Sequence, residues 1–307
     1  MHKLRILFAA AIMLTALCGC SAGEPSVRVP DKVTLLIEEE NRIITLSYTE
    51  YIAGCIFAAA DPSFLPETLT AAGIACSGQA LYCMENSAPG AFYGADLSDG
   101  GELCPEWISL DEARQEYGSE YDSCAEKVMN AAETAALTYP EYDGEPAFTP
   151  VCAVSTGITD DGGMPYLPSL TLECDSKSPL YFASCTVTAR YARETLREMT
   201  GSVILPPDKG EWFTDAEYTP GGTLLKICFG GAEITGEQLR QALGLKSCAI
   251  TVSPDGDMFT FTSLGCGRNT GMSVYTAERL ARSGKTAREI LDCFFPGTTL
   301  RTAQSSS

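Results

Sequence analysis

An α+β fold is what this 307-residue sequence predicts, and three stretches predict it. Residues 51–82 read as two short helices joined by a proline-bearing elbow. Residues 33–46 hold two apolar segments flanking Glu38-Glu39-Glu40-Asn41, the pattern of a hairpin whose charged tip faces water. Residues 248–252 and 258–262 flank Ser-Pro-Asp-Gly-Asp and read as a second hairpin. The expected architecture is antiparallel sheet, from hairpins around 33–46 and 224–262, packed on a central helix at 67–83.

The N-terminus stands outside that fold. His2, Lys3 and Arg5 form a basic start, and residues 6–17 an apolar run too short for a comfortable membrane span. Leu17-Cys18-Gly19-Cys20 then reads as a lipobox, with Cys20 the residue to be lipidated. A plain signal-peptidase site or an uncleaved anchor is the competing reading. The expected layout is a lipoprotein signal peptide at 1–20, a tether at 21–32, one domain at 33–300 and a disordered tail at 301–307. Either leader reading exports the body, and lipidation holds it at the outer face of the cytoplasmic membrane.

Export sharpens the composition. Without residues 1–19 the chain keeps 19 basic against 40 acidic residues. That charge repels nucleic acid and anionic lipid surfaces. It also loses His2, the single histidine, so imidazole-based catalysis and His-ligated zinc have no residue to use. Twelve cysteines remain beyond Cys20. They are evenly spread, none forms C-x-x-C, and Cys55, Cys76, Cys228 and Cys248 occupy small apolar positions of helices and strands. A mostly reduced state is preferred to a disulfide framework, although an even count in an exported chain also suits the latter.

In chain order, Thr49 suits a helix N-cap, with Ile52, Cys55, Ile56 and Ala59 on one face. Asp61-Pro62 stops that helix, and Pro66-Glu67 starts the next. Leu69, Ala72, Gly73, Cys76, Ala80 and Cys83 form a stripe of mostly small residues, which lets neighbouring backbone approach and suits a buried helix. Ser109 to Glu112 is a capping box, and a second helix follows over about 123–136. Residues 151–159 are strand-like and enter a turn. An amphipathic helix is predicted over 186–199, ending at Gly201. A Pro/Gly-rich connection at 205–222 is the candidate subdomain boundary, and residues 224–229 follow as a strand.

These motifs resemble the SpoIID/LytB family, sporulation and amidase-enhancer proteins of the bacterial cell wall. Tyr51, Gly54, Ala58, Glu67, Leu69, Ala71 and Ala75 match its opening signature. Ser155, Gly157 and Thr159 match a Ser/Gly turn, followed by Pro165-Tyr166-Leu167 and Ser169. Arg240, Leu243, Gly244, Leu245 and Ser247 match a later block, and Gly265, Gly267, Gly271, Met272, Ser273, Tyr275 and Ala277 the last diagnostic one.

The resemblance covers roughly residues 33–300. It implies a SpoIID-like fold and a groove for a polar polymer lined by Ser155, Gly157, Thr159, Tyr166, Arg268, Ser273 and Tyr275. The sporulation members resembled are lytic transglycosylases with a catalytic glutamate, and the ungapped match puts Ala59 at that position. Arg268 and Asn269 stand where the family has histidine and glycine. In some members a zinc is held by the segment resembling residues 94–107. Here Cys104 alone survives, with Ser98 and Leu103 at neighbouring positions, so the loop is read as metal-free and no cofactor is expected.

The first reading is therefore a catalytically degenerate, membrane-anchored protein that binds peptidoglycan glycan strands or a cell-wall hydrolase. An enzyme with a displaced acid at Asp61 is the second. A thiol or metal module is the third, disfavoured because no ligand-like spacing exists.

Overall fold

The computed structural model describes residues 28–100, 103–201 and 203–302. The apolar N-terminal run with Cys20, most of the tether and residues 303–307 lie outside the described residues. Among those described, no helix is long and apolar enough to cross a membrane.

Strands β1 (Lys32–Ile37) and β2 (Arg42–Ser47) form the first hairpin. Residues 38–41 are its exposed tip, and Asn41 takes the left-handed conformation, φ 48°, that asparagine tolerates. Helix α1 (Tyr48–Ala59) follows directly. Its N-cap is Ser47 rather than Thr49, because the Ser47 hydroxyl accepts from Glu50 N–H and Thr49 is already helical. After the Asp61-Pro62 break, α2 (Pro66–Asn86) begins on its proline.

Helix α2 is the centre of the first core. Fourteen of its 21 residues are buried, which a helix tolerates only if neighbours cover nearly its whole circumference. Helix α1 covers one side. The others are covered by α4 (Tyr121–Ala135), which follows α3 (Leu110–Tyr117), and by strands β4 (Thr138–Tyr142) and β5 (Glu145–Pro146). The predicted capping box at Ser109 and Glu112 is formed, and α3 starts on it.

Short strands β3 (Leu97–Ser98) and β6 (Val151–Cys152) lie on either side of this segment in sequence. The first core is completed from the far end of the chain by α7 (Val274–Arg282) and α8 (Ala287–Phe294). The two ends of the sequence cap each other. Leu65 offers α2 no side-chain cap, and Glu278 of α7 accepts from Leu65 N–H and the Thr68 hydroxyl instead. In return Glu67 accepts from Ala287 N–H, at 2.6 Å, at the start of α8. Both carboxylates sit where the helix dipole favours negative charge.

Between these parts the chain builds a second core. Strand β7 (Phe182–Thr188) leads into α5 (Ala189–Thr200), then β8 (Phe213–Tyr218), β9 (Leu224–Phe229), β10 (Ala232–Thr235) and α6 (Gly236–Leu243). The unit closes with β11 (Ile250–Asp255) and β12 (Met258–Leu264). Trp212, Phe229, Phe259 and Phe261 are buried here with Phe213 packed against them, in tilted and edge-on pairs 5.0 to 6.1 Å apart.

The amphipathic helix expected over 186–199 begins only at Ala189. Residues 182–188 instead pair with β12, with Val187 opposite Phe259 and Cys185 opposite Phe261. Cross-strand burial outweighs helical periodicity there, and the Thr188 hydroxyl caps the helix start by accepting from Tyr191 N–H. Leu205 and Trp212, within the 205–222 connection, pack into this second core. The hairpins of 224–262 thus enclose an apolar centre of their own, whereas β1 and β2 pack on the first.

Most pairing is antiparallel, in the orders β2-β1-β3, β10-β9-β8 and β11-β12-β7. Two contacts are parallel: β3 on β1, and β13 (Met272–Ser273) on β6. A last strand, β14 (Thr299–Thr302), pairs antiparallel with β4, and Arg301 holds Glu141 through two hydrogen bonds of 2.8 and 2.9 Å. The fold is α+β, with small antiparallel sheets and a buried small-residue helix.

Candidate functional site

A cleft separates the two cores. On the first-core side lies a cavity of about 60 Å³ bordered by Ala59, Gln79, Cys104, Glu106, Cys152 and Arg268. It opens, through Glu106, Pro150 and Arg268, into a wider cleft of about 690 Å³. The opposite wall belongs to the second core and carries Glu237, Arg240 and Cys248.

Each wall is set by a local constraint. Ala59 lines the cavity because it ends α1. The segment carrying Cys104 and Glu106 runs against α1 at Gly54, where an added Cβ would stand 2.1 Å from Trp107 Nε1 and 2.5 Å from the Ile108 carbonyl. Gly54 is therefore a close-approach position, and any side chain there displaces the Glu106 segment. From α2, Gln79 Nε2 donates to the Leu103 carbonyl at 2.9 Å and ties the same segment down. Arg268 follows Gly267 on the loop that enters β13.

The cleft is electrostatically mixed. Arg240 grips Glu237 through Nε and Nη2, at 2.9 and 2.7 Å. This pairing holds the Glu237 carboxyl well below the ordinary 4.5, at about 2, with smaller help from the Cys248 thiol and the charges of Arg240 and Arg268. Burial first, and then Glu237, push the Cys248 thiol up to about 12. Glu106 adds a solvent-exposed carboxylate.

Because Glu237 is depressed in the fold, its contribution is complete above the ordinary carboxylate range and disappears as pH falls from 4.5 towards 2. Glu237→Gln is expected to lose roughly 1–3 kcal/mol at pH 7 and little at pH 2. Urea midpoints at the two pH values check this, and an equal loss at both would rule out the linkage.

Of the residues expected to line a groove, Arg268 borders the cleft. Ser155, Thr159, Tyr166 and Ser273 are buried inside the fold instead. Ser155 donates its N–H and hydroxyl to buried Asp175. Thr159 Oγ1 accepts from Leu170 N–H. Tyr166 accepts from Phe148 N–H and packs within the first core. The Ser273 hydroxyl caps α7, accepting from Thr276 N–H. Gly157 has φ 97° in the turn after Ser155, and Tyr275 is half-buried with its N–H on the Ala153 carbonyl. Small polar side chains in a Ser/Gly turn read alike whether they face solvent or satisfy buried backbone, and here they do the latter.

Asp61 also lies away from the cavity. Its carboxylate accepts from Ser63 N–H in a turn at the end of α1, on the side of Tyr117 and Cys124, whose pKa values are raised mainly by burial and only slightly by the charge of Asp61. Asn269 is 3% exposed and stitches the two cores together. Its Oδ1 accepts from Thr156 N–H, and its Nδ2 donates to Asp160 and the Ile158 carbonyl. Asp160 in turn accepts from the hydroxyls of Thr219 and Thr223. Gln79, Glu106, Glu237, Arg240 and Cys248 are among the cleft residues that the sequence did not mark as lining it. The available signal for Glu106 was its place two residues after Cys104 in the one retained position of that loop. Among the described residues no group of three or more His, Cys, Asp or Glu is placed to hold a metal.

No protein-family model matches the chain. Curated proteins do. The chain is 28% identical over 264 residues to "Stage II sporulation protein D" of Bacillus subtilis, covering 83% of this chain and 75% of that one. It is 25% identical over 290 residues to the protein of the same name from Bacillus amyloliquefaciens, covering 92% and 83%. A 66-residue stretch is 38% identical to the "Amidase enhancer" of Bacillus subtilis, which covers 20% of this chain and 9% of that protein.

Proposed function

The chain belongs to the SpoIID/LytB family, a sporulation or cell-wall related protein of that type, and from that premise we propose that its cleft binds a peptidoglycan glycan strand without cleaving it. The observation that carries the reading is Ala59. Glycosidic cleavage needs a proton donor at the leaving oxygen, and the position that the resemblance assigns to the acid presents a methyl group to the cavity. Arg240 and Arg268 both border the cleft, where they would meet carboxylates of the ligand. Anchoring through Cys20, at the outer face of the membrane, belongs to the same proposal and rests on the leader pattern. A cell-wall hydrolase is the other occupant considered.

One observation favours a second reading, an active enzyme. Glu106 borders the same cavity as Ala59, so it replaces Asp61 as the candidate displaced acid. Against it, Glu106 is solvent-exposed, whereas acids of glycosidases are typically desolvated carboxyls.

Both readings meet in one experiment. The protein is incubated with amidase-denuded glycan strands, then assayed for co-sedimentation and, by mass spectrometry, for anhydromuramyl ends. Retention is expected, weakened about tenfold by Arg268→Ala, the scale of losing one charge-assisted hydrogen bond. Ends are expected at the level of a no-protein control. Absence of retention sinks the binding proposal. Ends released by the native protein but not by Glu106→Gln establish the enzyme.

A further inference from the structure

Two cysteines that the proposed function does not use lie next to the cleft. Cys83 is on the last turns of α2 and Cys104 on the segment that carries Glu106. Their sulfurs are 2.7 Å apart, and both residues are buried, at 0% and 2% exposure. The Ser87 hydroxyl is 3.4 Å from the Cys83 sulfur. A disulfide demands that two side chains already face each other, because backbone rarely shifts to bring distant cysteines together. This pair meets that demand, since the two sulfurs already face each other.

We propose that Cys83 and Cys104 are joined as a disulfide in the exported protein, a cross-link that pins the Glu106-bearing wall of the cleft to α2. The two thiols differ in readiness. In the docked, reduced pair the hydrogen bond from Cys104, outweighing burial and aided by Ser87, lowers the pKa of Cys83, while the same contact and burial raise that of Cys104.

The chemistry balances as ordinary thiol–disulfide exchange. One cysteine of the pair, as its thiolate, attacks one sulfur of an external disulfide and expels one thiolate. The other loses its proton, attacks its partner's sulfur in the mixed disulfide and expels the second. The pair gives up two protons and two electrons, and the external disulfide becomes two thiols. Because both sulfurs are covered in the finished fold, the exchange takes place before the segment docks, as the chain folds. The charge of the leader and its apolar run supply the compartment, since disulfides persist in oxidising environments outside the cytoplasm.

Cys55 and Cys76 are an internal contrast. They too are neighbours inside the first core, but burial drives the Cys55 thiol strongly towards its protonated form. They are expected to stay reduced.

The full chain is unfolded with dithiothreitol, refolded in oxidised and reduced glutathione, denatured, alkylated and digested without reductant. Peptides bearing Cys83 and Cys104 are expected to be recovered joined, two hydrogens lighter than their sum, with Cys55 and Cys76 alkylated. The thermal midpoint is expected to fall by roughly 5–10 °C when the protein refolds in dithiothreitol, the scale for opening a loop of about 20 residues. Recovery of Cys83 and Cys104 as separate alkylated peptides overturns the proposal, as does Cys83 joined to any other cysteine. Mapping the unmutated chain keeps the test independent of whether a Cys104→Ser variant folds.

Discussion

Replacing Asp175 with alanine is expected to lower the unfolding free energy by about 3–6 kcal/mol. Asp175 has no exposed surface and accepts three hydrogen bonds. These come from Ser155 N–H at 2.8 Å, the Ser155 hydroxyl at 2.5 Å and the Thr276 hydroxyl at 2.7 Å. They join the turn after β6 to the first turn of α7, through a residue 20 positions from the one and 101 from the other. Alanine leaves all three donors buried, and an unsatisfied buried donor costs about 1–3 kcal/mol. Asparagine keeps one acceptor oxygen and is expected to lose roughly half as much. Urea denaturation with a comparison of slopes measures both variants. An Asp175→Ala protein within 1 kcal/mol of the native one would show that water or rearrangement replaces the carboxylate.

Gly271→Ala is the second large effect, a loss of roughly 2–5 kcal/mol. Gly271 has φ 76°, and a Cβ built on it would stand 2.1 Å from the Pro150 carbonyl oxygen. That oxygen already accepts from Met272 N–H at 3.0 Å, in the short parallel pairing of β13 with β6. The side chain must therefore push β6 away. Val151 and Cys152 of β6 border the cavity, so the proposed glycan binding is expected to weaken in the folded fraction as well. Gly284→Ala is the matched control. Gly284 has a similar φ of 93° but open space around it, so it should show only the left-handed strain, about 1–2 kcal/mol. Equal losses at the two positions would leave the steric account without support.

The elements most legible in the sequence are those decided within a few residues. The 33–46 and 248–262 hairpins follow from apolar runs around a polar tip. The start of α2 at Pro66 follows from proline and glutamate in a first turn, and the start of α3 from the reciprocal hydrogen bonds of Ser109 and Glu112. Burial of α2 was also readable, because a stripe of glycine, alanine and cysteine has little use other than close packing. Residues 182–188 resisted the same reading. Thr186, Val187 and Thr188 continue the periodicity of α5, and pairing with β12, more than 70 residues away, makes them a strand.

What the sequence by itself determined is the likeness to the SpoIID/LytB family and the alanine at position 59, since both depend on residue identity. What only the tertiary structure decided is which polar groups face the cleft. Ser155, Thr159, Tyr166 and Ser273 satisfy buried partners, and Asn269 turns inward to link the cores. Glu106, marked only by its place near Cys104, and Gln79, from a helix interior, border the cavity instead. The reason is physical: a hydroxyl or carboxyl serves a buried donor and a ligand equally well, and contacts between residues far apart in the chain select which of the two it meets.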